Sequence, residues 1–310
     1  PEFLAEGTAI NDLLKSDRVL IGGENTKAGN KAISLLVDIY SRWIPRNKIL
    51  TTNIWSSELS KLVSNAMLAQ RISSINSISA LCEKTGAEVN EVSRAVGMDK
   101  RIGSSFLNSS IGFGGSCFKK DILNLVYISR HYGLDEVADY WESVVLINNY
   151  QTDRFGKKIL EALSPDLKKK TVSILGWAFK KNTNDSRESA SILLTKKLLF
   201  NGIKVNVFDP MVSKTSIIND IKESFVSDDL NQDDLVELIT NVSIFDNLYS
   251  AIKETDLVSI CTEWDEFKKI DWNKVLHTMS SSPWIFDGRS IIDKEDLENL
   301  GYKTFIIGKS

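Results

Sequence analysis

Residues 112–121 read GFGGSCFKKD, with three glycines in four positions, then a cysteine, two lysines and an aspartate. Glycines let a backbone come close to a ligand and expose N–H groups to it. A cysteine that follows such a loop and opens a helix sits where the helix dipole lowers the thiol pKa, and Lys119 and Lys120 add positive potential. That is the setting of a nucleophile. The bland alternative for Cys117 is a small buried residue at a helix start, the reading that suits Cys82 and Cys261. Lys61 and Asn65 are spaced i,i+4 and share one helix face. A lysine there can stabilise an oxyanion and an asparagine can donate a neutral hydrogen bond, although such pairs also occur on ordinary solvated faces. Lys180 and Lys181 lie just past a strand and Gly176, where lysines can hold the phosphates of a nucleotide. The turn itself, GWAFKKN, lacks the GxGxxG pattern, and Trp177 and Phe179 would obstruct a pyrophosphate, so a dinucleotide is not expected there. Asp209, at the end of the next strand, is either a ribose ligand or a turn residue. The chain has two histidines, His131 and His277, so neither a His-rich metal site nor a Ser-His-Asp triad is expected.

The elements that must position these groups divide into three stretches. Residues 17–23 read as a strand closed by glycines, 26–43 as an amphipathic helix and 49–51 as a brief extended piece. From 55 to 82 no Gly or Pro interrupts a long helix, with Thr51, Thr52 and Asn53 as N-cap candidates. Its many Ser and Ala residues let another helix approach closely, as in a central spine or a subunit interface. Helices near 88–96, 119–131 and 135–162 follow. Beyond Pro165 the pattern changes to strands at 171–175, 204–208, 257–261, 284–286 and 304–307, with a helix over 187–200. Strands alternating with helices predict a parallel, doubly wound α/β sheet. Lys168–Lys170 reads as a solvated turn.

With 310 residues the chain has room for about two domains. Its net charge of −3 argues against nucleic-acid and membrane partners. No apolar run reaches the ~18 residues of a membrane span. Three sparse cysteines suit a reducing compartment, and the cytoplasm is expected.

PEFLAEGTAI, WSSELSKLVSNAMLAQRISSINSISALC, RIGSSFLNSSIGFGGSCFKKD, GWAFKKNTNDSRES and FDGRS occur in that order along the chain. Together they resemble the nucleotide-sugar 6-dehydrogenases, and among these the UDP-glucose 6-dehydrogenases of eukaryotic type. The resemblance implies an N-terminal Rossmann domain for NAD, a central helical domain and a C-terminal Rossmann-like domain for the UDP-sugar. On that basis residues 1–52 would be the C-terminal remnant of the NAD-binding domain, 53–164 the central helical and dimerisation domain, and 165–310 the UDP-sugar domain. The chain would then lack most of its NAD-binding half and be inactive as it stands.

The implied reaction is the NAD-dependent, four-electron oxidation of UDP-glucose to UDP-glucuronate through a cysteine thiohemiacetal and thioester. Cys117 matches the nucleophile, Lys61 the oxyanion-stabilising lysine and Asn65 its neutral partner. Asp121 matches the carboxylate that works with that lysine, and Glu2 the glutamate that assists thioester hydrolysis. The UDP-sugar is assigned by similarity to Phe3, Leu4, Ala5, Glu6, Lys61, Asn65, Asn108, Ser109, Ser110, Ile111, Gly112, Phe113, Gly114, Phe179, Lys180 and Arg289. Arg101 matches an arginine that reaches a neighbouring subunit's site. Glu6, Cys117, Phe118, Lys119, Lys120 and Arg187 are expected near NAD. No metal is implied, and a homo-oligomer is expected. Another base or sugar specificity within the family, or a non-catalytic nucleotide-sugar-binding subunit, are the alternatives.

Overall fold

The computed structural model describes residues 1–228, 230–280 and 282–309. In chain order the elements are α1 (Ala9–Leu14), β1 (Val19–Gly22), α2 (Lys27–Tyr40), β2 (Ile49–Thr52), α3 (Ile54–Thr85), α4 (Val89–Gly97), α5 (Phe118–His131) and α6 (Asp135–Leu163). There follow β3 (Thr171–Leu175), α7 (Ala190–Phe200), β4 (Lys204–Phe208), α8 (Lys214–Ser224), α9 (Gln232–Thr240), β5 (Val242–Ile244) and α10 (Leu248–Ile252). The chain ends with β6 (Leu257–Ile260), α11 (Trp272–Leu276), β7 (Trp284–Asp287), α12 (Lys294–Asn299) and β8 (Lys303–Ile306). Two compact units form, Pro1–Leu68 with Lys120–Trp141, and Ala69–Lys119 with Glu142–Ser310.

In the first unit β1 and β2 pair in parallel, Val19 opposite Ile49. Helix α2 starts where the Thr26 hydroxyl accepts from the Gly29 N–H, satisfying one of the donors that a helix start leaves open. Its apolar face sets Ile33, Val37 and Tyr40 against Val19, Ile21, Ile44 and Ile49, which makes a small core. Of the three cap candidates for α3, Asn53 does the work, accepting from Ser56 N at 2.8 Å.

The second unit is built on six parallel strands in the order β5-β4-β3-β6-β7-β8. This is the doubly wound α/β sheet that the alternating pattern predicts. Its central strands β3 and β6 are buried on both faces, so they read as short apolar runs and not as alternating ones. Phe155, Trp177, Phe267 and Phe286 are the bulkiest side chains sealed in the core. Strand order reverses between β3 and β6, so the chain leaves these neighbours toward opposite sides and opens a crevice beyond their carboxyl ends. Small residues in the later part of α3 are used within this unit. Ser73 and Ser79 are buried, and the Ser73 hydroxyl donates to the Val144 carbonyl of α6 at 2.8 Å. Strand β5 and helices α8 and α9 had no counterpart in the sequence reading. β5 is three residues with Val242 and Ile244 half-buried and Ser243 exposed, and α8 buries only Ile217 and Ile221.

Candidate functional site

In the first unit Lys61, Asn65, Asp121 and Glu2 come together. Lys61 and Asn65 face the same way from α3, one turn apart. The Lys61 ammonium lies 3.3 Å from a Glu2 carboxylate oxygen. The Asn65 amide donates to Asp121 Oδ2 at 2.6 Å, and Lys120 Nζ donates to Asp121 Oδ1 at 2.6 Å. Asp121 is buried in the first turn of α5. The Leu4 N–H, and then the Lys61 charge, hold Glu2 below its ordinary carboxylate range, against the raising effects of burial and of the Asp121 charge. Glu2 is therefore ionised at neutral pH. Phe3 lies under the Arg18 guanidinium at 4.0 Å from its ring centre, a cation–π contact that fixes the segment carrying Glu2. Leu4, Ala5 and Glu6 are exposed, and the Ala5 N–H donates to Asp12.

In the second unit the glycine stretch is a buried loop from Ser109 to Gly115 that ends in an exposed Cys117. Gly114 and Gly115 are needed because neighbours come close. A Cβ on Gly114 would stand 2.5 Å from the Glu188 carbonyl oxygen, and one on Gly115 would stand 3.0 Å from the Phe179 ring. Lys119 pairs with Glu188 at 2.8 Å, and the Gly115 N–H donates to the Arg187 carbonyl. A small recess lies beside the loop, lined by Phe113, Gly114, Asn148, Thr152 and Glu188 among others. Asn108 is exposed, whereas Ile111 is wholly buried, so its side chain is packing and only its main chain can face a ligand. Phe118 stacks edge-on with Phe113, ring centres 5.8 Å apart.

The crevice at the strand reversal is lined from three strand ends. Phe179 and Lys180 follow β3, Glu263 follows β6 and Arg289 follows β7. Arg289 donates to the carbonyls of Cys261 at 2.7 Å and Phe179 at 3.0 Å, and its Nε lies 3.3 Å from Glu263. The Asp287 carboxylate takes the N–H groups of Arg289, Ile291 and Ile292, which shapes the loop that presents Arg289. Lys180 Nζ lies 5.5 Å from the Phe179 ring centre. Arg187 is held by Asp185 through two side-chain bonds, and Arg101 is an exposed partner of Asp99. Asp209 is a turn residue. Its carboxylate is filled by the N–H groups of Trp177, Ala178, Met211 and Val212 and by the Trp264 indole.

The sequence reading missed a set of polar side chains that hold loops. Arg71 donates to the carbonyls of Ile102, Gly103 and Ser105, and Asn148 grips Phe113. Asn148, Gln151 and Thr152 are polar residues three and four apart on an otherwise amphipathic helix, the one signal by which they could have been found.

The three thiols differ. Cys117 is exposed, Cys82 and Cys261 are buried, and burial pushes the Cys261 thiol up to about 11. Iodoacetamide is therefore expected to label Cys117 in the native protein, and Cys82 and Cys261 only after unfolding, as read by peptide mass spectrometry. Because Cys261 ionises later folded than unfolded, its ionisation favours the unfolded chain between pH 9 and about 11. Stability there should fall by on the order of 1 kcal/mol per pH unit. The slope should be shallower in Cys261→Ala, as measured by urea unfolding at pH 8, 9 and 10.

Between β1 and α2, a Cβ on Gly22 would meet Ser57 at 2.4 Å and one on Gly23 would meet Ile33 at 2.7 Å. Side chains fill this turn, so it does not fit a dinucleotide pyrophosphate. Gly176, after β3, is closed in the same way by Thr262. Among the described residues no group of three His, Cys, Asp or Glu is placed to hold a metal ion, and no helix is long and apolar enough to cross a membrane.

Models of the UDP-glucose/GDP-mannose dehydrogenase family match in order: its NAD binding domain over residues 1–44, its central domain over 55–150 and its UDP binding domain over 173–294. The chain is 53% identical over 309 residues to UDP-glucose 6-dehydrogenase of Drosophila melanogaster, covering all of this chain and 64% of the fly protein. It is 51% identical over 310 residues to that of Caenorhabditis elegans, again over all of this chain and 63% of the worm protein. Among solved structures, a UDP-glucose dehydrogenase from the archaeon Pyrobaculum islandicum matches all of this chain and 63% of its own, with a TM-score of 0.81 and 28% identity. The chain thus spans somewhat under two thirds of the length of these relatives. Three successive parts of one family lie along it in order, and about half of its residues are shared end to end with animal members, so the chain belongs to the UDP-glucose/GDP-mannose dehydrogenase family.

Proposed function

We propose that this chain carries the sugar-nucleotide site of an NAD-dependent UDP-glucose 6-dehydrogenase, which oxidises the C6 alcohol of UDP-glucose to the carboxylate of UDP-glucuronate. The observation that carries the reading is the cluster of Lys61, Asn65, Asp121 and Glu2. It joins an ammonium, an amide and two carboxylates, with the Asp121 charge acting on Glu2. Such a set can move protons and steady an oxyanion without histidine. Asp121 and Asn65 hold one another in register. Lys61 supplies positive charge for an oxygen that becomes anionic, and the ionised Glu2 accepts a proton from the attacking water. Loss of the C6 hydroxyl proton and of a first hydride equivalent to the proposed nicotinamide oxidant would give the aldehyde, to which Cys117 adds its sulfur while a proton reaches the oxygen, giving a thiohemiacetal. Loss of that proton and of a second hydride equivalent to a second oxidised nicotinamide would leave a thioester, and water cleaves it to the carboxylate and the free thiol.

NAD is proposed as the oxidant because the family has an NAD binding domain. Glu6, Phe118, Lys119, Lys120 and Arg187 are proposed to lie near it.

The crevice with Phe179, Lys180 and Arg289 is proposed to take the uridine diphosphate, and the loop Asn108–Gly114 the sugar end. Phe3, Leu4, Ala5 and Glu6 are proposed to complete the substrate contacts. Residues 1–52, 53–164 and 165–310 are proposed as the NAD-side, central and UDP-sugar regions. Self-association is proposed as well, Arg101 reaching a neighbouring copy. Exposed Ile78, Leu81, Leu146 and Tyr150 support an interface on the second unit.

Calorimetry with UDP-glucose, UDP and GDP-mannose tests the reading. Saturable binding of UDP-glucose and UDP with weaker GDP-mannose binding is expected, and preference for GDP-mannose would reassign the specificity. In the same assay Lys180→Ala should weaken UDP-glucose by about 1–3 kcal/mol, the worth of one charge-assisted phosphate contact. Unchanged affinity would remove Lys180 from the phosphate site.

A further inference from the structure

The loop Ser110–Phe113 belongs to no helix or strand, yet it is buried, so each of its peptide groups needs a partner. Side chains supply most of them. The Ser110 N–H donates to Asn76 Oδ1 of α3 at 2.8 Å, and the Ser110 carbonyl accepts from Gln151 Nε2 at 2.9 Å. The Ile111 carbonyl accepts from Thr152 Oγ1 at 2.7 Å. Asn148 takes both groups of Phe113: the N–H donates to Oδ1 at 2.7 Å, and the carbonyl accepts from Nδ2 at 3.1 Å. An amide bound in this way imitates a neighbouring strand and fixes the direction of the chain as well as its distance. Asn148, Gln151 and Thr152 lie on one face of α6, and all three are buried, as is Asn76.

Two further observations show that this face is held tightly. Gly112 has φ +140, and a Cβ on it would stand 2.9 Å from Thr152 Oγ1 and 3.2 Å from Asn148 Oδ1. The Gln151 amide is itself oriented. Its Oε1 accepts from Arg154, Arg154 donates to the buried Glu83 at 2.5 Å, and Glu83 accepts the Gly308 N–H at 3.0 Å. An amide so anchored transmits position, because it cannot rotate to follow a loop that drifts.

We propose that Asn148, Gln151 and Thr152, with Asn76, are positioning residues that set the Ser110–Phe113 main chain, and through it the presentation of Cys117, for the sugar nucleotide. The proposal rests on the reading above that this loop meets the UDP-sugar. Misplacing a binding loop by an ångström changes affinity and reactivity in the folded protein, whereas a residue that only stabilises the fold changes the folded fraction and nothing else.

The test uses Thr152→Val, which keeps the shape and loses the donor, Thr152→Ser, which restores the donor, and Asn148→Asp, which sets an oxygen against the Phe113 carbonyl. Three quantities are read: the rate of Cys117 alkylation by iodoacetamide, the UDP-glucose affinity by calorimetry, and the melting temperature. Thr152→Val is expected to change the alkylation rate at least threefold and to weaken UDP-glucose at least fivefold. Thr152→Ser should return both to within twofold of the parent. Asn148→Asp should change both at least tenfold, and if it does not fold the two Thr152 variants decide. Parental alkylation and affinity in Thr152→Val, with only the melting temperature lowered, would overturn the proposal. If the parent chain binds no UDP-glucose, the substrate assignment fails and the alkylation rates decide alone. A changed rate restored by Thr152→Ser supports positioning, and an unchanged rate refutes it.

Discussion

Cys117→Ser is expected to lower UDP-glucuronate formation at least 1,000-fold in a preparation that oxidises UDP-glucose, equivalent to about 4 kcal/mol of transition-state stabilisation. Affinity for UDP-glucose should stay within threefold of the parent. The thiol is exposed and makes a contact with the Ser116 hydroxyl at 3.7 Å, so exchanging sulfur for oxygen disturbs little packing. The chemistry, by contrast, changes at both covalent stages. A serine hydroxyl is far less acidic than a thiol, so much less of the nucleophilic anion is available to add to the aldehyde. An ester formed in place of a thioester is the poorer acyl donor to water. Turnover should therefore stop at or after the aldehyde, and aldehyde or its hydrate should be detected by mass spectrometry. Near-normal UDP-glucuronate would remove Cys117 from the covalent role. Loss of binding together with turnover would make it a packing residue of the loop.

The residues differ in how far their roles could be read before folding. The Lys61/Asn65 spacing on one helix face needed only helical periodicity, and α3 delivers it. The doubly wound sheet was visible because β3, β4, β6, β7 and β8 are short extended runs bounded by Gly, Pro or a charged turn, whereas the three-residue β5 was not read. The glycines of GFGG were read as openings toward a ligand, and in the folded chain Gly114 and Gly115 make room for Phe179 and the Glu188 carbonyl. That distinction depends on a segment some seventy residues away, and no local pattern encodes it. The same holds for Arg71 and for the α6 amides. On a helix, Asn148 and Gln151 look like any solvated polar residue until the loop they hold is folded against them. Lys170 read as part of a solvated run, but it pairs with Asp256 at 3.0 Å. Where long-range packing decides a role, the residue type narrows the possibilities and the fold selects among them.

Asp209 shows how that selection can be tested, because it carried two readings that predict opposite experiments. As a ribose ligand at a strand end, it would keep at least one oxygen open. In the folded chain Oδ2 accepts from Trp177 N at 2.6 Å, Ala178 N at 3.0 Å and Trp264 Nε1 at 3.2 Å, and Oδ1 accepts from Met211 N at 2.8 Å and Val212 N at 2.9 Å. Five donors on one buried carboxylate join the turn after β3, the turn after β4 and the segment beyond β6. Asp209→Ala strands these donors, and each one left without a partner costs about 1–3 kcal/mol, with water reaching some of them. The variant should lose about 4 kcal/mol, near the upper end for a single substitution. At about 2–4 °C per kcal/mol for a unit of this size, the melting temperature should drop by roughly 10 °C. Asp209→Asn is nearly the same shape but turns an N–H₂ group toward some of the same donors, so it should lose a comparable amount. A ribose ligand predicts instead that Asp209→Asn melts like the parent and binds UDP-glucose more weakly. Differential scanning fluorimetry beside calorimetry separates the two. A shift under 3 °C with weakened nucleotide binding would return Asp209 to the ligand site, and a large shift fixes it as the knot that ties the three turns beneath the crevice.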